Sequence, residues 1–473
     1  MSEIPPKNTL TVLFLGVLTA ALDIALVATT LPAIRAEFLL DERAASWVLG
    51  VFVLFSLVGL PLMAKLSDRY GRLTIYMADL LLFTTGLLVV ISSSGFRLLL
   101  VGRALQGLGA SGIFPVASAL IGDTVAPEKR GRMLGILGSV FGLAFIIGPI
   151  VGGLLVKFGW QWPFGSNLVL AVTVMILAPG RIPNRRYAES RKLDWIGITV
   201  LAVLVAALSL GLNRIDTGSA LESLTSPGVS TLLILATLLL PLFLFVERRA
   251  ADPLLRLELV KRKQVALVCL LAAGAGLVEA AFVFMADFVS ESMDVTDRAA
   301  SLMLLPLVCS MAVASPVAGR VLDRIGSRTV ISSGLILVVT GMGVLSLSTP
   351  DPASFYTGSI AIGLGLSCLL GSALSYILLA EAHVSERTVA QGISTLFISV
   401  GQLLGSAVIG AVAASAVSAS QGYREAFGLI AVLMLLLLLS SFLLKPRHVE
   451  QAQLLNAADH RATASEIRSE VGR

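Results

Sequence analysis

Charge is what this sequence has least of. Lys, Arg, Asp and Glu make up 14% of its 473 residues, where a soluble domain carries about 25%. Hydrophobic residues supply 56% and the mean hydropathy is +0.90, so a bilayer is the solvent that fits. Cysteine is scarce too. Cys269, Cys309 and Cys368 each lie in an apolar run, away from any His, which argues against a disulfide or a zinc site and for small buried hydrophobes. His383, His448 and His460 form no cluster. No hydrolase or kinase motif and no Gly-x-x-x-x-Gly-Lys-Ser/Thr loop occurs, so neither an enzyme nor a built-in ATPase is expected, nor a metal or a cofactor. The net charge of +5 is scattered through short loops, which speaks against nucleic-acid binding. No small-residue cleavage site precedes the first apolar run, which reads as a retained helix.

What is present is a series of apolar runs near the length of about 20 residues that a spanning helix needs. They fall at roughly 9–34, 46–65, 74–94, 97–122, 132–156, 161–179, 194–213, 227–246, 264–289, 299–319, 327–348, 354–380, 388–415 and 424–444. Backbone polar groups in lipid must be satisfied within the segment, so these are expected to be helices. The short alternating strands of a membrane barrel are absent. The expectation is an all-α polytopic membrane protein with fourteen transmembrane helices.

The basic residues orient it. With the N-terminus inside, 27 of 35 Lys and Arg fall on the inner side and seven on the outer, with Arg103 inside a span. That bias predicts both termini in the cytoplasm, and the expected setting is a bacterial inner membrane.

A repeat divides the chain. Ala64-Lys65-Leu66-Ser67-Asp68-Arg69-Tyr70-Gly71-Arg72 follows the second span, and Gly319-Arg320-Val321-Leu322-Asp323-Arg324-Ile325-Gly326-Ser327 follows the tenth. Asp, Arg and Gly align at one offset, and six spans precede residue 180 while six follow residue 263. Two pseudo-symmetric halves with a site at their interface are a common architecture of secondary transporters. The division expected is a six-helix bundle at 1–180, two linker helices at 181–263, a second bundle at 264–445 and a cytoplasmic tail at 446–473.

The Asp-Arg-x-Gly-Arg segment resembles the signature loop of the major facilitator superfamily, departing from its pattern at Ala64, Ser67 and Leu73. Such a loop turns tightly at Gly71, its Asp can accept from a neighbouring helix N-terminus, and its Arg side chains can bridge to acids. The resemblance implies a gate built on Asp68, Arg69, Gly71 and Arg72 and repeated at Asp323, Arg324 and Gly326. The fifth span carries Gly135, then Gly148, Pro149, Gly152 and Gly153, similar to the superfamily's antiporter motif with Ala144 in place of one Gly. Small residues there let helices approach closely and Pro149 permits a bend.

Two stretches resemble the fourteen-helix drug:proton antiporter branch. One is Leu22-Asp23 followed by Leu31-Pro32, with Ala25 and Ala28 where the branch often has Thr and Asn. The other is Trp160-Gln161-Trp162-Pro163-Phe164 leading to Asn167. Leu193-Asp194-Trp195-Ile196-Gly197 and the Glu247-Arg248-Arg249 to Asp252-Pro253-Leu254-Leu255 segment match its two central helices.

An ionisable residue inside a span is a functional hypothesis by default. Asp23 lies mid-span and is expected to face a central cavity, where a carboxylate withdrawn from water holds its proton more tightly and draws a cation; the other reading is a structural acid bonded to a neighbouring helix. Arg103 matches the superfamily's fourth-helix Arg-x-x-Gln-Gly motif, implicated in proton transfer. Arginine stays charged, so it can only tune an acid; the other reading is snorkelling to the outer surface. Glu279, in the ninth span, is a second proton or cation site, or half of a structural pair with Asp287 on the same face. The combined expectation is a monomeric, proton-coupled antiporter in membrane lipid that exports amphipathic or cationic drug-like molecules. An exporter of a lipid or metabolite, a proton-solute symporter, and a membrane sensor or enzyme are the alternatives.

Overall fold

The structure, a computed structural model, describes residues 7–40, 42–184, 194–214, 223, 225–250, 253, 257–416 and 418–450. The expectations for Leu193, Asp252, Leu254, Leu255 and the tail beyond 450 lie outside these. Among the described residues the regular structure is helical: α1 (Lys7–Phe38), α2 (Glu42–Tyr70), α3 (Arg72–Ile91), α4 (Phe96–Ser111), α5 (Ile113–Thr124), α6 (Pro127–Leu155), α7 (Gln161–Leu177), α8 (Trp195–Asn213), α9 (Pro227–Arg249), α10 (Lys263–Met293), α11 (Leu305–Ile325), α12 (Ser327–Leu347), α13 (Pro352–Cys368), α14 (Leu374–Glu381), α15 (Arg387–Ser415) and α16 (Ala419–Ser441). Among these residues, twelve helices are long and apolar enough to cross a membrane, counting α4–α5 and α13–α14 as one span each. The expected sixth and seventh spans are shorter apolar helices, Gln161–Leu177 and Trp195–Leu208 by the same measure.

Helix ends follow local chemistry. Asp351 caps α13, accepting from Ala353 N (2.9 Å) and Ser354 N (3.0 Å) ahead of Pro352, the pattern that satisfies orphan N–H groups. Chiefly the Ser354 N–H holds the Asp351 carboxyl below its ordinary range. Asp194 accepts from Gly197 N (2.9 Å) at the start of α8. The tenth span starts later than its apolar run suggested. A short helix, Asp297–Met303, precedes it and α11 begins at Leu305 with Pro306 in its first turn, where a missing N–H costs nothing.

The repeated motif is a helix end rather than a loop. Asp68 and Arg69 complete α2, Asp323 and Arg324 complete α11, and the chain reverses at Gly71 (φ 106, ψ 148) and Gly326 (φ 87, ψ 166). That backbone region is essentially glycine's alone, so the repeat in sequence is a repeat in conformation.

Both broken spans face the middle. Gly112 separates α4 from α5, and a π-helical turn, Leu369–Ala373, joins α13 to α14; π turns in helices concentrate at functional sites. One core draws on residues 201–444 with Leu57, Leu60 and Ala64 of α2, and two others on residues 12–182 with Leu379 of α14. Helices α8 and α9 pack on one another, and α8 packs on α2.

Candidate functional site

A central cavity of about 240 Å³ lies between the helices of the two repeats. Its walls come from α1 (Ala20, Ile24), α2 (Phe52, Ser56), the α4–α5 break (Ser111, Phe114), α6 (Phe141), α11 (Met311), the π turn (Leu370, Gly371) and α15 (Ser399, Gln402). The lining is apolar except for a few hydroxyls, one amide and one carboxyl, that of Glu279 on α10. Glu279 accepts from Gln402 Nε2 at 2.9 Å. Asp287, expected as its companion, lies exposed two turns further along α10, and the partner is α15 instead.

Asp23 is elsewhere. It is fully buried, and the neighbours Ala20, Ala21 and Ile24 line the cavity while Asp23 does not. The expectation that it faces the cavity is therefore corrected. Its oxygens accept from Arg103 Nη1 (2.5 Å) and Gln106 Nε2 (2.9 Å). Arg103 also donates to Gln106 Oε1 (2.9 Å) and, through Nε, to Val48 O (2.9 Å), and lies over the Phe52 ring at 4.6 Å. The opposite face of that wall is the cavity, which Phe52 lines. Arg103 is fully buried, so the snorkelling reading is excluded. The physical reason is helix packing. A Cβ at Gly107 would sit 2.3 Å from Phe52 O and one at Gly102 2.9 Å from Gly86 O, so α4 lies against α2 and α3 closely enough to enclose the guanidinium, and an enclosed charge needs a counter-charge.

At the end carrying Gly71 and Gly326 the two repeats are tied together. Arg72 pairs with Asp68 and, at 3.1 Å, with Asp123. Asp123 also binds Arg387 of α15 at 2.8 Å. The Asp68 carboxylate accepts from Val389 N (3.4 Å), in the first turn of α15. Asp323 answers it from the other repeat, accepting from Gly131 N (2.8 Å) and Arg132 N (2.9 Å) of α6. Each motif Asp thus reaches backbone N–H groups near the start of a helix in the other repeat, where the helix dipole favours an anion. Asp123 and Arg387 were not anticipated from sequence, because nothing in chain order shows that residues 264 apart meet.

The glycines of α6 work on two faces. A Cβ at Gly135 would lie 2.5 Å from Ser315 O of α11, and Ser315 Oγ donates to Gly135 O at 2.9 Å. One at Gly148 would lie 2.4 Å from the Ala25 Cβ of α1, and one at Gly152 2.0 Å from Thr29 Oγ1. Gly153 meets nothing within 4 Å, and Pro149 and Gly153 are exposed; the close packing expected of the whole motif does not extend to them. Gly131, Gly138 and Gly142, which the motif omits, continue the α11 contact, at Gly319 and Ala312 and at the π turn's Gly371. Beyond the cavity α1 exposes Ala28 and Pro32.

One acid escaped the reading of the sequence. Asp79 is fully buried in α3, and neither oxygen has a hydrogen-bond partner among the described residues. The signal was a lone carboxyl in the third apolar run. Among the described residues there is no cluster of three metal-ligating side chains. Trp160 is buried and meets Phe38 and Phe164 edge-on at 5.9 and 6.3 Å, while Asn167 Nδ2 donates to Thr19 O at 3.2 Å; these join α7 to α1.

The sequence matches the family described as Major Facilitator Superfamily over residues 13–249 and 268–471. It is 31% identical over 397 residues to the uncharacterized MFS-type transporter YfiU of Bacillus subtilis (strain 168), covering 82% of this chain and 76% of that one. It is 27% identical over 409 residues to Multidrug resistance protein 3 of the same organism, covering 85% and 78%. The fold is similar to that of the human organic anion transporter MFSD10 (TETRAN), with a TM-score of 0.69 at 18% identity, over 92% of this chain and 99% of that one.

Proposed function

The chain belongs to the Major Facilitator Superfamily, a multi-pass membrane transporter, and from that premise we propose that it is a proton-coupled antiporter exporting amphipathic or cationic drug-like compounds by alternating access. The observation that carries this reading is the placement of Glu279, the one ionisable side chain among the described residues that line the largely apolar central cavity. A carboxyl withdrawn from water binds its proton or an organic cation, and its preference changes with its solvation. One group serving both ligands in turn is a minimal exchange device, because coupling requires only that the two facing states differ in affinity for each.

The remaining geometry fits this scheme. The tied end, with Asp68, Arg69, Gly71, Arg72, Asp323, Arg324 and Gly326, is the gate on the cytoplasmic side, given the bias of Lys and Arg toward that side. The conformer is then closed inward. The pair Asp23–Arg103 holds the back of the cavity wall and tunes protonation from there. Gly135, Gly148 and Gly152 let α6 bear on both α11 and α1, so a movement of one repeat is felt by the other. Helices α7 and α8, added to the twelve longer ones, give the fourteen-helix drug:proton branch, with α8 and α9 as the linker between bundles at 1–180 and 264–445. Relatives named for multidrug resistance or multidrug transport support the substrate class.

The test is reconstitution. In proteoliposomes with the membrane potential clamped at zero, an imposed pH gradient drives ethidium against its gradient, and ethidium added to the purified protein releases protons. Glu279→Gln abolishes that release. Co-movement of proton and solute in one direction would replace this reading by symport. Lipid flipping without dye-induced proton release would replace it by lipid export.

A further inference from the structure

Three carboxyls lie deep within the described helices, and they differ in company. Asp23 has a guanidinium and an amide. Glu279 has an amide and a cavity. Asp79 has neither: it is fully buried and both its oxygens lack a hydrogen-bond partner among the described residues. Its surroundings explain why. A Cβ at Gly112 would lie 2.0 Å from Asp79 Oδ2 and 2.9 Å from the Met63 Cβ of α2, and one at Gly109 would lie 2.5 Å from the Asp79 carbonyl. The carboxyl thus fills the notch left by the missing side chain of Gly112, at the point where α4 stops and α5 begins. Gly112 and Met63 lie against it. The titratable neighbour is Tyr76, one turn back on α3, whose hydroxyl is turned to Val12 O of α1 at 3.2 Å.

A charge in such a place is untenable without a partner, so the side chain is carried here as the neutral acid. An ionisable group also contributes less to packing than an apolar side chain of its size, and its presence at this depth points to use. The use is suggested by what lies on the far side of Gly112. Ala110, Ser111 and Ile113, which flank the break, line the cavity. The Asp79 carboxyl therefore touches the back of the break in α4–α5 whose front receives substrate.

We propose that Asp79 is a second proton-binding site of the transport cycle, loaded in the conformer seen here and emptied when the α4–α5 break shifts and admits water behind Gly112. The carboxylate takes one proton from solvent on the open side and returns it to solvent on the other; no other bond changes. This rests on the antiport reading and deepens it: two protons, at Glu279 and at Asp79, accompany each substrate.

The experiment is the static-head gradient of ethidium in proteoliposomes held at zero membrane potential. Each coupled proton contributes about tenfold in accumulation per pH unit imposed. Wild type is expected to hold about a hundredfold per pH unit, and Asp79→Asn about tenfold, with ethidium-induced proton release from Glu279 intact. A wild-type slope of tenfold overturns the second site whether or not the variant folds, and so does a variant that keeps the wild-type slope. A buried acid with only a structural role would lower thermal stability on substitution and leave that slope where it was. Wild-type vesicles that show no accumulation on a pH gradient would instead overturn the antiport reading itself, and this inference with it.

Discussion

Asp23 and Glu279 are both carboxyls in the middle of long helices, one in each repeat, yet they are built for different work. Asp23 is enclosed with a fixed cation on α4, its two oxygens bonded to Arg103 and Gln106. Glu279 accepts from the amide of Gln402 and lines the cavity. On the proposed reading the first arrangement holds a charge still and the second leaves one free to change. Depth within a span is therefore a poor guide to role; what decides is whether the neighbouring helix supplies a cation.

That contrast breaks most visibly at Arg103. Arg103→Ala strands a buried carboxylate, and losing one member of a buried pair costs about 3–5 kcal/mol. The expected result is a large fall in the unfolding temperature of the purified protein, partly recovered when Asp23→Asn is added, since the neutral amide needs no counter-charge. If Arg103→Ala alone melts like wild type, the pair is not structural. Gly135→Leu comes next. Its side chain would press on the Ser315 carbonyl, already 2.5 Å from where a Cβ would stand, and overpacking typically costs about 1–3 kcal/mol. Transport should suffer more than stability, because α6 and α11 belong to different repeats; equal losses of both would count against a moving interface.

Glu279→Gln should be the gentle counterpart of Arg103→Ala. The amide keeps the shape of the side chain and faces a cavity, so stability should move by less than about 1 kcal/mol while ethidium-induced proton release disappears. A melt as damaged as that of Arg103→Ala would erase the distinction between the two acids.

The smallest effect is expected at the tied end. Glu450 accepts from Ser327 N at 3.3 Å and from the Ser327 hydroxyl at the start of α12, and burial pushes its carboxyl above the ordinary range. The folded state then holds this proton more tightly than the unfolded chain. The contribution is full below the ordinary glutamate value and is lost as pH rises from there through the raised one. Melts across that window should decline slightly in wild type and less in Glu450→Gln. A steeper decline in the variant would reverse the assignment.

Much of this was legible in the chain. Apolar runs located the helices, because a lipid solvent permits little else, and the duplicated Asp-Arg-x-Gly motif located the two reversals that only glycine makes. The lateness of α11 was not legible, since its apolar run starts before Pro306 and hydropathy does not register a helix start. Nor was the position of Asp23 behind the cavity wall: the periodicity of α1 is nearly all apolar, so no polar face marks which side meets water.

By itself the sequence determined a membrane-spanning bundle of two repeats with acids within it, for the solvation cost of charge and polar backbone in lipid is a property of residues and their spacing. Which acid is bound, which is exposed to the cavity and which lacks a hydrogen-bond partner among the described residues was decided only by tertiary structure. Asp23 meets Arg103 across 80 residues, Glu279 meets Gln402 across 123, and Asp79 meets the gap left by Gly112. The state of a carboxyl depends on what lies within a few ångströms, and in a helical bundle those neighbours come from other helices.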